Sequence, residues 1–114
     1  MGRYGTPIGM RPVPGELRKH FAVYILTNRP RGVLYVGVSS WLEERVRQHR
    51  EGLIEGFTKR YRLERLVYFE YFNSAQAAIK QEKRLKRWRR EWKIELIEKT
   101  NPTWRDLWSD LTEM

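Results

Sequence analysis

The segment "HFAVYILTNRPRGVLYVGVSS", residues 20–40, sets two runs of strand-forming residues around a short polar turn. The first run, "HFAVYILTN" at 20–28, is apolar on both faces, the pattern of a buried strand. "NRPR" at 28–31 has turn chemistry, and so short a connection makes an antiparallel hairpin the natural arrangement. A four-residue loop pairing Thr27 with Gly32 would set Tyr24 opposite Tyr35, two phenols on one face. The second run, "VLYVGVSS" at 33–40, contains one residue foreign to a strand. Gly37 weakens it, and such a glycine marks a bulge or the close approach of another group. Two residues beyond Tyr35, Gly37 shares its face of the sheet. The missing side chain should open a gap beside the two tyrosines.

Outward from the hairpin, Ser40 and Glu43 suggest a capping box opening the helix "WLEERVRQHR" at 41–50, with Gly52 closing it. Leu42 and Val46 face the core, and Arg45 and His49, four apart, share a face. "LIEGFTKRYRLE" at 53–64 reads as a basic, aromatic loop, and "RLVYFEYF" at 65–72 as a third strand. Asn73 with Gln76 resembles a second capping box before the long helical segment "SAQAAIKQEKRLKRWRR" at 74–90. A further helix, "EWKIELIEK", ends before Asn101-Pro102. Asn101 reads as the N-cap of a last short helix with Pro102 in its first position. Three strands and about four helices in mixed order predict an α+β domain, a small three-stranded antiparallel sheet flanked by those helices. Residues 1–18, rich in glycine and proline, are expected to be a flexible arm, with the folded domain spanning 19–112.

The 114 residues contain no cysteine, which excludes disulfides, thiolate zinc sites and cysteine nucleophiles and suits a cytoplasmic protein. No apolar run has the length of a membrane span and no signal-peptide core is visible. Lysine and arginine number 23 against 14 acids, a net charge of +9. A domain this basic attracts polyanions, of which nucleic acid is the commonest; a merely solvated basic surface is the alternative. There is no phosphate-cradling glycine loop, no zinc-binding His-Glu-x-x-His and no serine elbow. Two histidines, His20 and His49, are too few for a histidine-rich metal site.

Glu82 is the most informative single residue. It falls within a stripe of Ala75, Ala78, Ile79 and Leu85, and acids are almost never buried without a partner. A metal ion, an arginine or a bound proton would resolve the conflict; so would a place at the stripe's edge, paired with Lys86 or Arg45. Arg45 offers a fork of donors suited to phosphate oxygens. His49 offers proton transfer or a hydrogen bond, although an exposed basic helix face explains both residues. Tyr24 and Tyr35 are packing residues unless neighbouring cations lower their pKa from about 10.

The tract Lys80–Arg90 carries seven basic residues in eleven. Helical spacing would put Lys83, Arg87 and Arg90 on one outward face able to track a phosphate backbone, or simply to be solvated. Trp88 with Trp92, and Trp104 with Trp108, read as core stripes. Phe57, Lys59, Arg60 and Tyr61 are better candidates for stacking and phosphate contact.

Taken in order, "AVY" at 22–24, ten residues, then "YVG" at 35–37 resembles the signature of the GIY-YIG nuclease family. Arg45 with His49 resembles that family's first-helix motif, Glu82 its metal-ligating glutamate and Asn101 its late asparagine. The first triplet departs from Gly-Ile-Tyr but keeps the tyrosine. The resemblance covers about residues 20–110 and implies hydrolysis of phosphodiester bonds in DNA with one divalent metal, Mg²⁺ or Mn²⁺, at Glu82. Tyr24 or Tyr35 would take the proton of the attacking water, and Arg45 would neutralise charge on the phosphate. His49 would orient a tyrosine or assist proton transfer. Gly37 then becomes the floor of a cleft where a phosphate reaches the phenols. With no separate recognition domain in view, specificity would come from branched or damaged DNA structure or from a protein partner. The alternative is a nucleic-acid-binding module of the same fold with little or no cleavage. A structural basic protein would leave Glu82 without a reason.

Overall fold

The computed structural model describes residues 21–112, so the glycine- and proline-rich arm and His20 lie outside the described residues. Strands β1 (Phe21–Thr27) and β2 (Leu34–Ser39) form the expected antiparallel hairpin. β3 (Arg65–Phe72) pairs antiparallel with the other side of β1, giving the order β2-β1-β3. β1 is central, which is why it is apolar on both faces: Ala22 to Thr27 are all buried.

The hairpin register differs from the expected one. Thr27 pairs with Leu34, so Tyr24 lies opposite Gly37, while Tyr35 lies opposite Leu26. The turn itself takes up the extra residues. Val33 N–H donates to Asn28 Oδ1 at 3.0 Å, Gly32 N–H to the Arg29 carbonyl at 2.8 Å, and the Thr27 hydroxyl to that same carbonyl at 2.9 Å. A slip of two keeps both tyrosines on one face and changes only their partners.

Five helices complete the fold: α1 (Leu42–Arg50), α2 (Phe57–Arg60), α3 (Ala75–Arg87), α4 (Arg90–Thr100) and α5 (Trp108–Thr112). One face of the sheet, with Val23, Ile25 and Val36, packs against Ala78 and Leu85 of α3, Ile97 of α4 and Trp104. The other, with Ala22, Tyr24 and Leu26, packs against Leu42 and Val46 of α1, Leu63 and Leu111 of α5. The architecture is the expected α+β one, with the sheet between two helical layers. Among the described residues no helix is long and apolar enough to cross a membrane.

Several boundaries move. The Ser40–Glu43 box does not form: Trp41 is the N-cap of α1 without a side-chain cap, Ser39 Oγ accepts from Trp41 N–H at 2.9 Å, and Ser40 Oγ is buried without a partner. Ser74, not Asn73, caps α3, accepting from Ala77 N–H at 3.1 Å. The long basic helix breaks after Arg87, because Trp88 and Arg89 are extended, with ψ of 149° and 155°. Trp88 turns inward against the core and meets Trp92 edge-on at 6.0 Å. Trp92 itself is 45% exposed, and Trp104 and Trp108 pack in opposite layers, so neither tryptophan pair is a core stripe.

Asn101 is the C-cap of α4, not the N-cap of α5, which begins only at Trp108. Its N–H donates to the Ile97 carbonyl. Its buried side chain donates from Nδ2 to the carbonyls of Arg105 (2.8 Å) and Val67 (3.2 Å) and accepts from Arg105 N–H at 3.0 Å. Val67 is the residue passed over where the β1–β3 register shifts, and its carbonyl serves as a tie for the chain beyond α4.

Candidate active site

The close approach marked by Gly37 is made by Tyr24. A Cβ at Gly37 would stand 2.5 Å from both Cζ and Oη of Tyr24, so the phenol ring occupies the gap that the missing side chain leaves. This ring is 2% exposed. Its hydroxyl is hydrogen-bonded to His49 Nε2 at 3.0 Å, and His49 Nδ1 to Thr58 Oγ1 at 3.0 Å. Tyr35 completes a triangle of rings, with centroids 6.3 Å from Tyr24 and 5.6 Å from His49.

His49 is buried rather than part of an exposed basic face. Leu42, Val46 and His49 follow one another at i, i+4 and i+7, so the stripe that docks α1 on the sheet carries the imidazole with it. That spacing was available in the sequence. Thr58 was not foreseeable: it sits on the four-residue α2, too short for any periodicity, within what reads as a loop. It is buried while Phe57, Lys59 and Arg60 around it are exposed.

Burial, and next the positive charge of Arg45, push His49 down to about 4. The imidazole is therefore neutral throughout the neutral range, with one nitrogen lone pair available as an acceptor. This makes His49 a source of acid sensitivity. The unfolded chain binds a proton there below about pH 6.5 and the folded chain only below about 4. Stability contributed by the neutral ring is thus fully present above about pH 6.5 and is lost as pH falls towards 4. Urea melts between pH 7 and 4 should show stability falling by roughly 1–3 kcal/mol, and His49→Gln should flatten the fall. An unchanged slope in that variant would show that other groups govern acid unfolding.

Glu82 resolves in the plainer of the expected ways. Ala78 and Leu85 are buried, but Ala75 is exposed and Ile79 is 41% exposed, so the apolar stripe of α3 is narrower than it reads. Glu82 lies at its edge, half-buried, with Lys86 Nζ 2.5 Å from Oε2. Its helix belongs to the layer opposite α1. Among the described residues no group of three or more His, Cys, Asp or Glu side chains gathers as a metal cluster. Glu82 would therefore hold a metal with at most one further such side chain among the described residues. A carboxylate donor suits a hard divalent cation like Mg²⁺, which keeps several waters and takes its other oxygens from a substrate phosphate.

The other candidates are dispersed. Lys59 pairs with Glu55 at 2.9 Å, and Arg60 lies 5.6 Å over the Tyr61 ring. The rings of Phe57 and Tyr61 meet at a tilt, centroids 4.8 Å apart, and remain exposed. Lys83 and Arg87 stay exposed on α3, whereas Arg90 falls on α4 and donates to the Arg31 carbonyl. The break at Trp88 thus splits the expected basic face. The side chain of Asn101 is engaged by backbone at both Nδ2 and Oδ1. What the fold brings together is Tyr24, Tyr35, His49 and Thr58, with Arg45 close enough to act on His49.

The family model described as the GIY-YIG catalytic domain matches residues 20–95. A UPF0213 protein of Staphylococcus saprophyticus is 35% identical over 79 residues, which is 69% of this chain and 94% of that protein. A UPF0213 protein of Clostridium perfringens is 35% identical over 75 residues, 66% of this chain and 80% of that one. Another, of Haloquadratum walsbyi, is 37% identical over 65 residues, 57% of this chain and 73% of its own length. No solved structure matches the chain.

Proposed function

We propose, from the premise that this chain belongs to the GIY-YIG family, that it is a divalent-metal-dependent endonuclease hydrolysing phosphodiester bonds in DNA. The observation that carries the reading is the buried contact of Tyr24 with His49 beneath the Tyr35 ring. A phenol alone is a poor base near neutral pH. A neutral imidazole at hydrogen-bond distance gives the phenol oxygen a partner and a fixed direction. The net charge of +9 favours a polyanionic substrate.

Within this reading Tyr24 passes its phenol proton to the Nε2 lone pair of His49 as it takes the proton of the attacking water, so His49 both orients the phenol and receives its proton. Tyr35, half-buried, forms the outer wall of the ring cluster, where substrate would arrive. Arg45 neutralises charge that builds on the phosphate oxygens in the transition state. Glu82, although its helix packs in the layer opposite α1, is the carboxylate that would hold Mg²⁺ or Mn²⁺, and the metal when bound would supply polarisation of the phosphate and stabilisation of the leaving oxygen. Exposed Lys83 and Arg87, with Lys59 and Arg60 on α2, supply cations for flanking phosphates. Asn101 is left to the fold rather than the chemistry.

The test uses supercoiled plasmid and branched DNA with Mg²⁺ or Mn²⁺, with and without chelator. Nicking should appear only with metal, and Tyr24→Phe should lower it roughly 100-fold or more while retaining DNA binding. Binding without nicking on any substrate, with either metal, would instead mark the chain as a nucleic-acid-binding module.

A further inference from the structure

We infer that Thr58 is a positioning residue that holds His49 in the Nδ1–H tautomer, so that the Nε2 lone pair is turned to the Tyr24 hydroxyl. Tyr24, His49 and Thr58 form a buried line of three polar groups, 3.0 Å between Tyr24 Oη and Nε2 and 3.0 Å between Nδ1 and Thr58 Oγ1. A neutral imidazole has one N–H and one lone pair, so the two ends of this line cannot be alike. Either the phenol donates to Nε2 while Nδ1–H donates to Thr58, or both bonds reverse.

Acidity decides between them. Phenols as a class are far stronger acids than aliphatic hydroxyls. The phenol is the better donor, and the threonine oxygen is the better acceptor. The matched arrangement is therefore Tyr24 O–H to Nε2 and Nδ1–H to Thr58 Oγ1. The hydrogen bond at one ring nitrogen sets the state of the other.

The fold explains why this partner comes from α2. The backbone of Thr58 is anchored, since its carbonyl accepts from Leu63 N–H at 2.9 Å, and Leu63 is fully buried in the layer that contains Tyr24. His49 is likewise fixed on the inward stripe of α1. The hydrogen bond from the His49 ring to Thr58 ties α1 to α2. The catalytic consequence rests on the proposed nuclease reading; the tautomer itself does not.

The first measurement is long-range ¹H–¹⁵N correlation of the imidazole nitrogens in the full chain. With only two histidines in the sequence, His20→Gln assigns the signals of His49. Nδ1 should resonate as protonated and Nε2 as bare, and Thr58→Val, which keeps the shape and removes the hydroxyl, should shift the ring towards the Nε2–H form. Thr58→Ser should keep the parent pattern. In the nicking assay Thr58→Val should lose roughly tenfold or more in kcat with little change in KM, and Thr58→Ser should stay near the parent, because a histidine in the wrong tautomer has lost the acceptor it offers. A parent ring protonated at Nε2 would overturn the inference. So would a Thr58→Val ring unchanged in tautomer, or a Thr58→Ser variant as impaired as Thr58→Val. If the chain cleaves no DNA, the nitrogen shifts still test the tautomer, which separates failure of the inference from failure of the proposed function.

Discussion

Gly37→Ala is expected to lower nicking roughly 100-fold or more, an effect far beyond its loss of stability. The added methyl would stand 2.5 Å from Cζ and Oη and 2.9 Å from Cε1 of Tyr24. No pair of carbon atoms tolerates that separation, so the ring or the strand must move. The ring has little room: it is buried in the core layer with Leu42 and Val46, and its hydroxyl is bonded to His49. Overpacking of this kind costs typically about 1–3 kcal/mol. The larger effect is on geometry, because any shift of the ring moves Oη away from Nε2. A matched comparison isolates the cause. Val38→Ala, in the same strand but packed on the opposite layer, should lose comparable stability by leaving a cavity and keep most of its nicking. Thermal melts and initial rates on both variants provide the check. Equal loss of activity at equal loss of stability would make Gly37 an ordinary strand position.

The same glycine shows what a sequence reveals about a site and what it withholds. Side-chain direction in a strand has period two, so the shared face of Tyr35 and Gly37 was legible from spacing, while that of Tyr24 rested on the assumed hairpin register. The register was not, because a slip of two preserves every face and only the hydrogen bonds of the turn from Asn28 to Val33 choose between alternatives. Central β1 was legible from its apolar residues on both faces, and α1 from its stripe. Within that stripe the burial of His49 was readable at Leu42, Val46 and His49, but a polar residue there competes with the commoner exposed reading.

The sequence reading set the boundary between the two helices at Arg90–Glu91, and the structure sets it at Trp88–Arg89. Neither glycine nor proline stands there; the turn follows from Trp88 being drawn into the core, a tertiary demand that overrides helix propensity. Asn101 before proline looked like an N-cap for good local reasons. Its capping role lies instead at the end of α4, and its side chain answers to the carbonyl of Val67, 34 residues away, at the position passed over where the β1–β3 register shifts. Thr58 is the clearest case of information held by the fold alone, since its meaning comes entirely from His49 across a nine-residue separation.

Glu82→Gln should reduce nicking at least as strongly as Gly37→Ala while leaving the fold almost untouched. The Glu82–Lys86 pair is an i,i+4 contact with the lysine side chain 51% exposed and the glutamate side chain 12% exposed. Glutamine preserves the volume of the side chain and can still accept a hydrogen bond from the lysine. Melting should therefore stay close to that of the parent. Activity should not, because a neutral amide is a far weaker ligand for a hard cation than a carboxylate. Losing metal stabilisation of transition-state charge removes several kcal/mol, which corresponds to roughly 100-fold or more in rate. DNA binding in chelator, followed by fluorescence anisotropy, should match the parent within about twofold, since binding in the absence of metal depends on the lysines and arginines that meet phosphate. Lys86→Ala supplies the opposite arm. Removing the ammonium that now neutralises Glu82 takes away a positive competitor, so the Mg²⁺ concentration for half-maximal nicking should fall. If Glu82→Gln nicks as fast as the parent, Glu82 is only the lysine's partner at the edge of α3, and the metal ligand must be sought elsewhere in the chain.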